Sequence, residues 1–246
     1  FRSYFTYLFY TWTGLNCYWA IPFVAICMGF LAWVIFKLIV RPLLGSDDTS
    51  FILVTLGLSY FLQNFAEFAF GADPKSVPST IKTSSIIMGD YSIGLPRLIA
   101  FGTMIILVLG VYMLLNKTTL GRAMRATSEK PEVAQMLGIN TKKTFTIAFM
   151  IGVIFAGLSG LLLTPLYYVT PTAGNMFRTT AYIAVIIGGL GDIKGALVGG
   201  LAVGVIEALV TGMISNDLGP VGVCIALLVV LYLRPQGFFG KGERRA

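Results

Sequence analysis

The stretches RLIAFGTMIILVLGVYMLL (97–115), NKTTLGRAMRATSEKPEVAQMLGINTKK (116–143) and TFTIAFMIGVIFAGLSGLLLTPLYY (144–168) follow one another without a break. The first and last are apolar for about 20 residues, enough at ~1.5 Å per residue to cross a ~30 Å hydrocarbon core. Between them Lys117, Arg122, Arg125, Lys130, Lys142 and Lys143 face only Glu129 and Glu132. Span, basic loop, span is the pattern of a polytopic helical membrane protein whose basic loops stay in the cytoplasm.

The pattern extends in both directions. Upstream, spans are expected over about Tyr18–Val40 and Phe51–Gly71. Arg41, Pro42 and Asp47–Asp48 form a short polar connection between them, and Ala72–Pro96 forms a longer polar loop. Lys37, near the end of its span, is placed to snorkel outward. Downstream come Thr179–Leu190, Ala196–Ile214 and Pro220–Leu233, the first too short to cross unless Met176–Arg178 extend it. Trp12, Tyr18 and Trp19 bracket a turn at Gly14–Asn16, and Tyr167 and Tyr168 end a later span, as ring side chains do at a membrane boundary. Ser3–Thr13 reads as the tail of a helix that begins upstream, since Phe1 is not an initiator methionine. The expected fold is an all-α polytopic transmembrane bundle of about seven spans plus an N-terminal fragment, a single domain over 1–246. With residues 116–143 in the cytoplasm, the alternation puts the basic tail from Arg234 on the same side.

Composition agrees with lipid as the medium. The chain is 56% hydrophobic and only 12% charged, with mean hydropathy +0.82, far from the charge that a water-facing surface needs. A net charge of +7 comes from residues between spans, which is an orientation signal and no sign of a nucleic-acid partner. Cys17, Cys27 and Cys224 are scattered singly, so neither a disulfide framework nor a metal pair is expected. The absence of histidine removes imidazole base chemistry and the commonest metal ligand.

Within the spans, polar and small residues mark candidate positions. Ser59, Gln63 and Glu67 lie four apart with Tyr60 and Asn64 beside them, one helical stripe that would face the bundle interior, where Gln63 and Asn64 are deep enough for a pathway or an interhelical hydrogen-bond role. Glu67 is also readable as an interfacial carboxylate, about 6 Å from its helix end. Glu207, mid-span, needs a polar partner or a neutral state, since a charge there costs about 2.5–3.5 kcal/mol. Gly191, Gly195 and Gly199 repeat every fourth residue, with Gly200 and Gly204 on an adjacent stripe. Such spacing lets helix backbones approach in lipid; a helix break at Gly188–Gly191 beside the pathway is the alternative. In the basic loop, Glu132–Leu137 followed by Gly138 reads as a short helix with a glycine stop, Glu132 and Met136 on one face.

Glu132-x-Ala134-x-x-x-Gly138 resembles the coupling-loop motif Glu-Ala-Ala-x-x-x-Gly of ATP-binding-cassette import permeases. With "LGRAMRATSEKPEVAQMLGINTKK" (120–143), "GGLGDIKGALVGG" (188–200), "LRPQGFFGK" (233–241) and "RPLLGSDDTSFILVTLGLSYFLQNFAEFAFG" (41–71), it is similar to the LivH-like permeases of high-affinity branched-chain amino acid transport. The likeness runs through essentially the whole chain. Two features depart from it: the Asn-Phe-Ala-His-Gly-like stretch of the family's first part is absent, and no Leu-Pro follows the motif glycine.

The resemblance implies a permease subunit in the inner membrane that binds no cofactor itself. ATP and magnesium would be used by two cytoplasmic ATPase subunits, alongside a second homologous permease and a periplasmic solute-binding protein. No Gly-x-x-x-x-Gly-Lys-Ser/Thr loop occurs in this chain. Glu132, Ala134, Gly138, Arg122 and Arg125 would couple to the ATPases. A urea or short-amide permease shares the architecture. An ion-coupled secondary transporter would need deep titratable groups, and only Glu207 qualifies; a channel or an embedded enzyme has no signature here.

Overall fold

The computed structural model describes residues 2–13, 17–43, 47–71, 73, 85–88, 91–167, 169–170, 173–189, 191–213, 215, 218–234 and 236–239. The turn at Gly14–Asn16, residues 74–84 of the polar loop, Tyr168 and the end of the basic tail lie outside them, as do the side chains of Trp12 and Tyr18. The chain divides into two compact units, Phe1–Pro171 and Thr172–Ala246.

In the first unit, α1 (Arg2–Thr13) is followed by a 3-10 turn (Cys17–Ala20) and α2 (Ile21–Ile35). Pro22 sits in the first turn of α2, where its missing N–H leaves nothing unpaired. The expected connection at Arg41–Pro42 is instead helical: a π turn (Phe36–Val40) runs into α3 (Arg41–Leu43), so Ile21–Leu43 is one span-length helix. There the Arg41 N–H donates to Phe36 O, five residues back. This wider turn shifts the hydrogen-bond ladder just before Pro42, which has no N–H to give and would crowd an ordinary turn. Lys37 is exposed and lies 4.8 Å from the Trp33 ring centre, a cation–π contact.

α4 (Asp48–Phe70) and α5 (Leu95–Lys117) are also long and apolar enough to cross a membrane. Between them the all-α expectation meets its exception. β1 (Ser85–Met88) pairs antiparallel with β2 (Tyr91–Gly94), Ser85 opposite Gly94 and Met88 opposite Tyr91. Ile86, Ile87, Tyr91 and Ile93 are β-branched or aromatic, and Gly89–Asp90 are residue types that hairpin connections favour. Next come α6 (Thr119–Glu129), α7 (Pro131–Met136) and α8 (Thr141–Leu163). α8 starts earlier than the expected Thr144, because the Asn140 side chain accepts from the Lys143 N–H at 3.0 Å and caps the helix.

α2 packs along α8. Ala20, Val24, Met28, Ala32, Phe36 and Val40, every fourth residue, are buried in one stripe, and Leu161 and Leu162 of α8 join its core. A Cβ at Gly157 would lie 2.7 Å from Met28 Cγ, so the helices are as close as that glycine allows. In lipid this close approach, with its dispersion contacts, replaces the hydrophobic drive that water would supply. Tyr4 of α1 stacks on Phe70 at the end of α4, ring centres 4.5 Å apart, in a cluster with Ala66 and Val169.

In the second unit, α9 (Ala173–Gly188), α10 (Ile193–Met213) and α11 (Gly219–Leu233) pack around Ile183, Ile187, Val203 and Val223. α9 takes in the residues before Thr179 that the span needed and is 16 residues long. Among the described residues, seven helical segments are thus apolar and sit where spans were expected, five of them of full crossing length.

Candidate functional site: the basic elbow and the polar stripe

The basic loop folds as two helices, α6 and α7, where one was expected. Pro131 explains the break: it cannot donate the N–H that would continue α6, yet it suits the first turn of α7. The corner from α5 into α6 is tight. Thr118 Oγ1 accepts from the Gly121 N–H at 3.1 Å and caps α6, and a Cβ at Gly121 would lie 2.2 Å from Leu115 O. α7 ends as its sequence indicates. The Ile139 N–H donates to Ala134 O and the Gly138 N–H to Gln135 O, both at 3.0 Å, with Gly138 at φ +82°. This paired closure needs a left-handed residue, which glycine supplies without steric cost.

The closure sorts the coupling candidates. Ala134 is buried, while Glu132 is exposed and has no ion-pair partner among the described residues. Beside Glu132, Val133 is exposed, and Met136 and Leu137 are 86% and 75% accessible. An apolar tip at the end of a polar, charged segment lacks its covering surface. Sequence reasoning placed Met136 on the Glu132 face and passed over Leu137; the signal was a Met-Leu pair directly before a glycine stop. Arg122 is exposed. Arg125 turns back toward the end of α5, its Nη1 donating to Asn116 Oδ1 at 2.6 Å.

On α4, Ser59, Asn64 and Glu67 are exposed and Gln63 is half-buried, so the first unit alone does not enclose this stripe. Asn64 Nδ2 donates to Tyr60 O at 2.8 Å within the helix. Tyr4 packs on Ala66 and Phe70, either side of Glu67 in sequence, and its hydroxyl is buried without a hydrogen-bond partner, a polar group near the stripe that the reading of α1 as a fragment overlooked.

The glycine segment of the second unit is a backbone-to-backbone contact. Cβ atoms at Gly195 and Gly199 would lie 2.3 Å from Gly188 O and 2.1 Å from Ala184 O. Gly200 and Gly204 meet nothing within 4 Å. Gly189 and Gly191, at φ +102° and +92°, make the turn between α9 and α10, and Asp192 Oδ1 caps α10 by accepting from the Lys194 N–H at 2.9 Å. The C-terminal segment closes this turn: Phe238 and Phe239 N–H groups donate to Ile187 O (2.9 Å) and Gly188 O (3.0 Å). Glu207, half-buried, packs against Gly219 at the start of α11, whose first turn has no side-chain cap. The positive end of that helix offsets a carboxylate there. No cluster of three His, Cys, Asp or Glu side chains able to hold a metal forms among the described residues.

The family model described as branched-chain amino acid transport system / permease component matches residues 3–233. The high-affinity branched-chain amino acid transport system permease protein LivH of Salmonella typhimurium is 31% identical over 86% of this chain and 70% of its own length. The corresponding protein BraD of Pseudomonas aeruginosa is 30% identical over 82% and 68%. A probable branched-chain amino acid transport permease LivH from Methanocaldococcus jannaschii is 30% identical over 92% and 76%. No solved structure matches the chain.

Proposed function

This chain belongs to the family of branched-chain amino acid transport system permease components, and on that premise we propose that it is the multi-pass, inner-membrane permease subunit of an ATP-driven importer for branched-chain, hydrophobic amino acids. Separate cytoplasmic ATPases supply the energy, a second homologous permease completes the pathway, and a periplasmic binding protein delivers solute. The substrate class rests on what the relatives are named for. The basic elbow and the C-terminus lie in the cytoplasm.

One observation carries the coupling assignment: the exposed Met136–Leu137 tip, with Glu132 beside it and Gly138 fixing its direction. A short helix with an apolar tip and a flanking charge docks into a groove on a partner. Closure of the ATPases on ATP would push this tip, and the short rigid links α5–α6 and α7–α8 would pass the displacement to the spans as rigid-body motion. The stripe Ser59–Gln63–Glu67 would then line the pathway once the second permease covers it. Glu207, set against the start of α11, has a structural reason to be there, which weakens the ion-coupled alternative.

The test is a double substitution, Met136→Asp with Leu137→Asp, and separately Glu132→Lys, in the complete transporter. Uptake into reconstituted vesicles and solute-stimulated ATP hydrolysis should both fall at least tenfold, about 1.4 kcal/mol of lost coupling, while the chain still inserts. Normal uptake and hydrolysis by an assembled double variant would remove the tip from the coupling role.

A further inference from the structure

Beside the tip, the elbow has a second feature. α6 and α8 leave between them a groove of about 210 Å3, many times the ~10–15 Å3 that one water needs. Its lining is split by chemistry. Arg125, Thr127, Ser128 and Thr144 form one part; Met124, Phe145 and Ala148 form the other.

The polar part has a single free source of donors. Ser128 Oγ gives its proton to Arg125 O at 2.9 Å, Thr127 Oγ1 to Ala123 O at 2.8 Å, and Thr144 Oγ1 to Asn140 O at 3.0 Å. Arg125 spends one of its five N–H groups on the neutral oxygen of Asn116. No carboxylate pairs with it among the described residues, so its charge stands uncompensated. The surrounding residues 116–143 add to the same sign, six basic against two acidic.

Position fixes the rest of the ligand. Thr144 lies in the first turn of α8, and Ala148 lies one turn, about 6 Å, farther along a helix of crossing length. The groove therefore runs from the charged end of α8 into its apolar body. A free phosphate would leave the Met124–Phe145–Ala148 part empty, and a neutral lipid would leave Arg125 unanswered. Basic pockets between helices at the cytoplasmic boundary suit anionic headgroups.

We propose that the α6–α8 groove binds an anionic phospholipid, its phosphate on the Arg125 guanidinium and the start of an acyl chain along Met124, Phe145 and Ala148. The site is independent of which solute the transporter carries.

Phe145→Trp reports on it directly. The assembled transporter is placed in phosphatidylcholine discs with rising fractions of bromine-labelled phosphatidylglycerol or bromine-labelled phosphatidylcholine. The signal read is the quenching of the added tryptophan, as the difference from the parent protein. Phosphatidylglycerol should half-quench it at about fivefold lower mole fraction, the factor one basic side chain is worth near a membrane surface. Arg125→Ala should bring the two lipids together. Met124→Trp reads the same groove if Phe145→Trp does not accumulate. Equal quenching by both lipids in the Arg125 protein overturns the site. So does loss of the preference in millimolar inorganic phosphate, which assigns the groove to a free anion. So does a preference seen only when the ATPase subunits are stripped away, which assigns it to a protein partner.

Discussion

Gly199 shows how far one atom decides a helix pair. A Cβ there would lie 2.1 Å from Ala184 O and 2.9 Å from the Gly188 Cα, so an alanine has only backbone to push against. Backbone cannot rotate away as a side chain does, and overpacking of this kind costs about 1–3 kcal/mol or more. Gly199→Ala should therefore lower the thermal midpoint of the solubilised chain by several degrees. Gly204→Ala, where nothing lies within 4 Å, should leave it unchanged or slightly raised, since alanine is the better helix former. Equal midpoints for the two variants would dissolve the close-approach reading. Four-residue spacing reveals which glycines share a helix face; it carries no information on which face has a neighbour. For that reason Gly199 and Gly200 look alike in the sequence and differ in space. Glu207 was conspicuous in sequence as a charge inside a span, but the helix start that meets it belongs to a later segment.

At the scale of elements, helix existence followed from apolar length and boundaries followed from local chemistry that length does not report. Pro131 divides the elbow, Asn140 advances the start of α8, and a π turn carries α2 past Pro42. The hairpin at 85–94 was hidden because its strands are four residues each and sit in a loop of mixed composition. Least legible was the union of two segments the sequence displays separately: the turn after α9 and the C-terminal strap at 237–239. Their bonds satisfy the Ile187 and Gly188 carbonyls, which the end of α9 would otherwise leave without intrahelical partners. Gly237 makes this possible, at φ +75° with Gly189 N and Ile186 O each 2.6 Å from where its Cβ would be. Gly237→Ala should lift the strap. Two backbone hydrogen bonds at about 1 kcal/mol each correspond to roughly thirtyfold faster amide exchange at Phe238 and Phe239. Exchange rates matching the parent chain would mean that the strap bonds do not depend on this glycine.

At the scale of the molecule, the distribution of apolar surface fits a lipid setting, and the proposed orientation rests on the distribution of charge. α4 and α5 leave Phe61, Phe65, Phe68, Phe101 and Ile106 exposed, which water would penalise and lipid or a second permease would not. Apolar surface does not tell the two sides of a membrane apart, so the proposed orientation rests on charge: the basic elbow above all, with Arg41 and the tail from Arg234 on the same side in sequence. Met136 offers the sharpest probe, because it is 86% accessible and lies at the tip assigned to the ATPases. In a background with Cys17, Cys27 and Cys224 replaced by serine, Met136→Cys should react with a membrane-impermeant maleimide in inside-out vesicles and stay unlabelled in intact spheroplasts. Adding the ATPase subunits to the vesicles should slow the reaction about tenfold or more, since a docked tip is shielded. Labelling in spheroplasts would put the tip where no cytoplasmic ATPase reaches, and coupling through α7 would fall with the orientation. Labelling in vesicles that the ATPases do not slow would keep the orientation and move the docking surface elsewhere on the elbow.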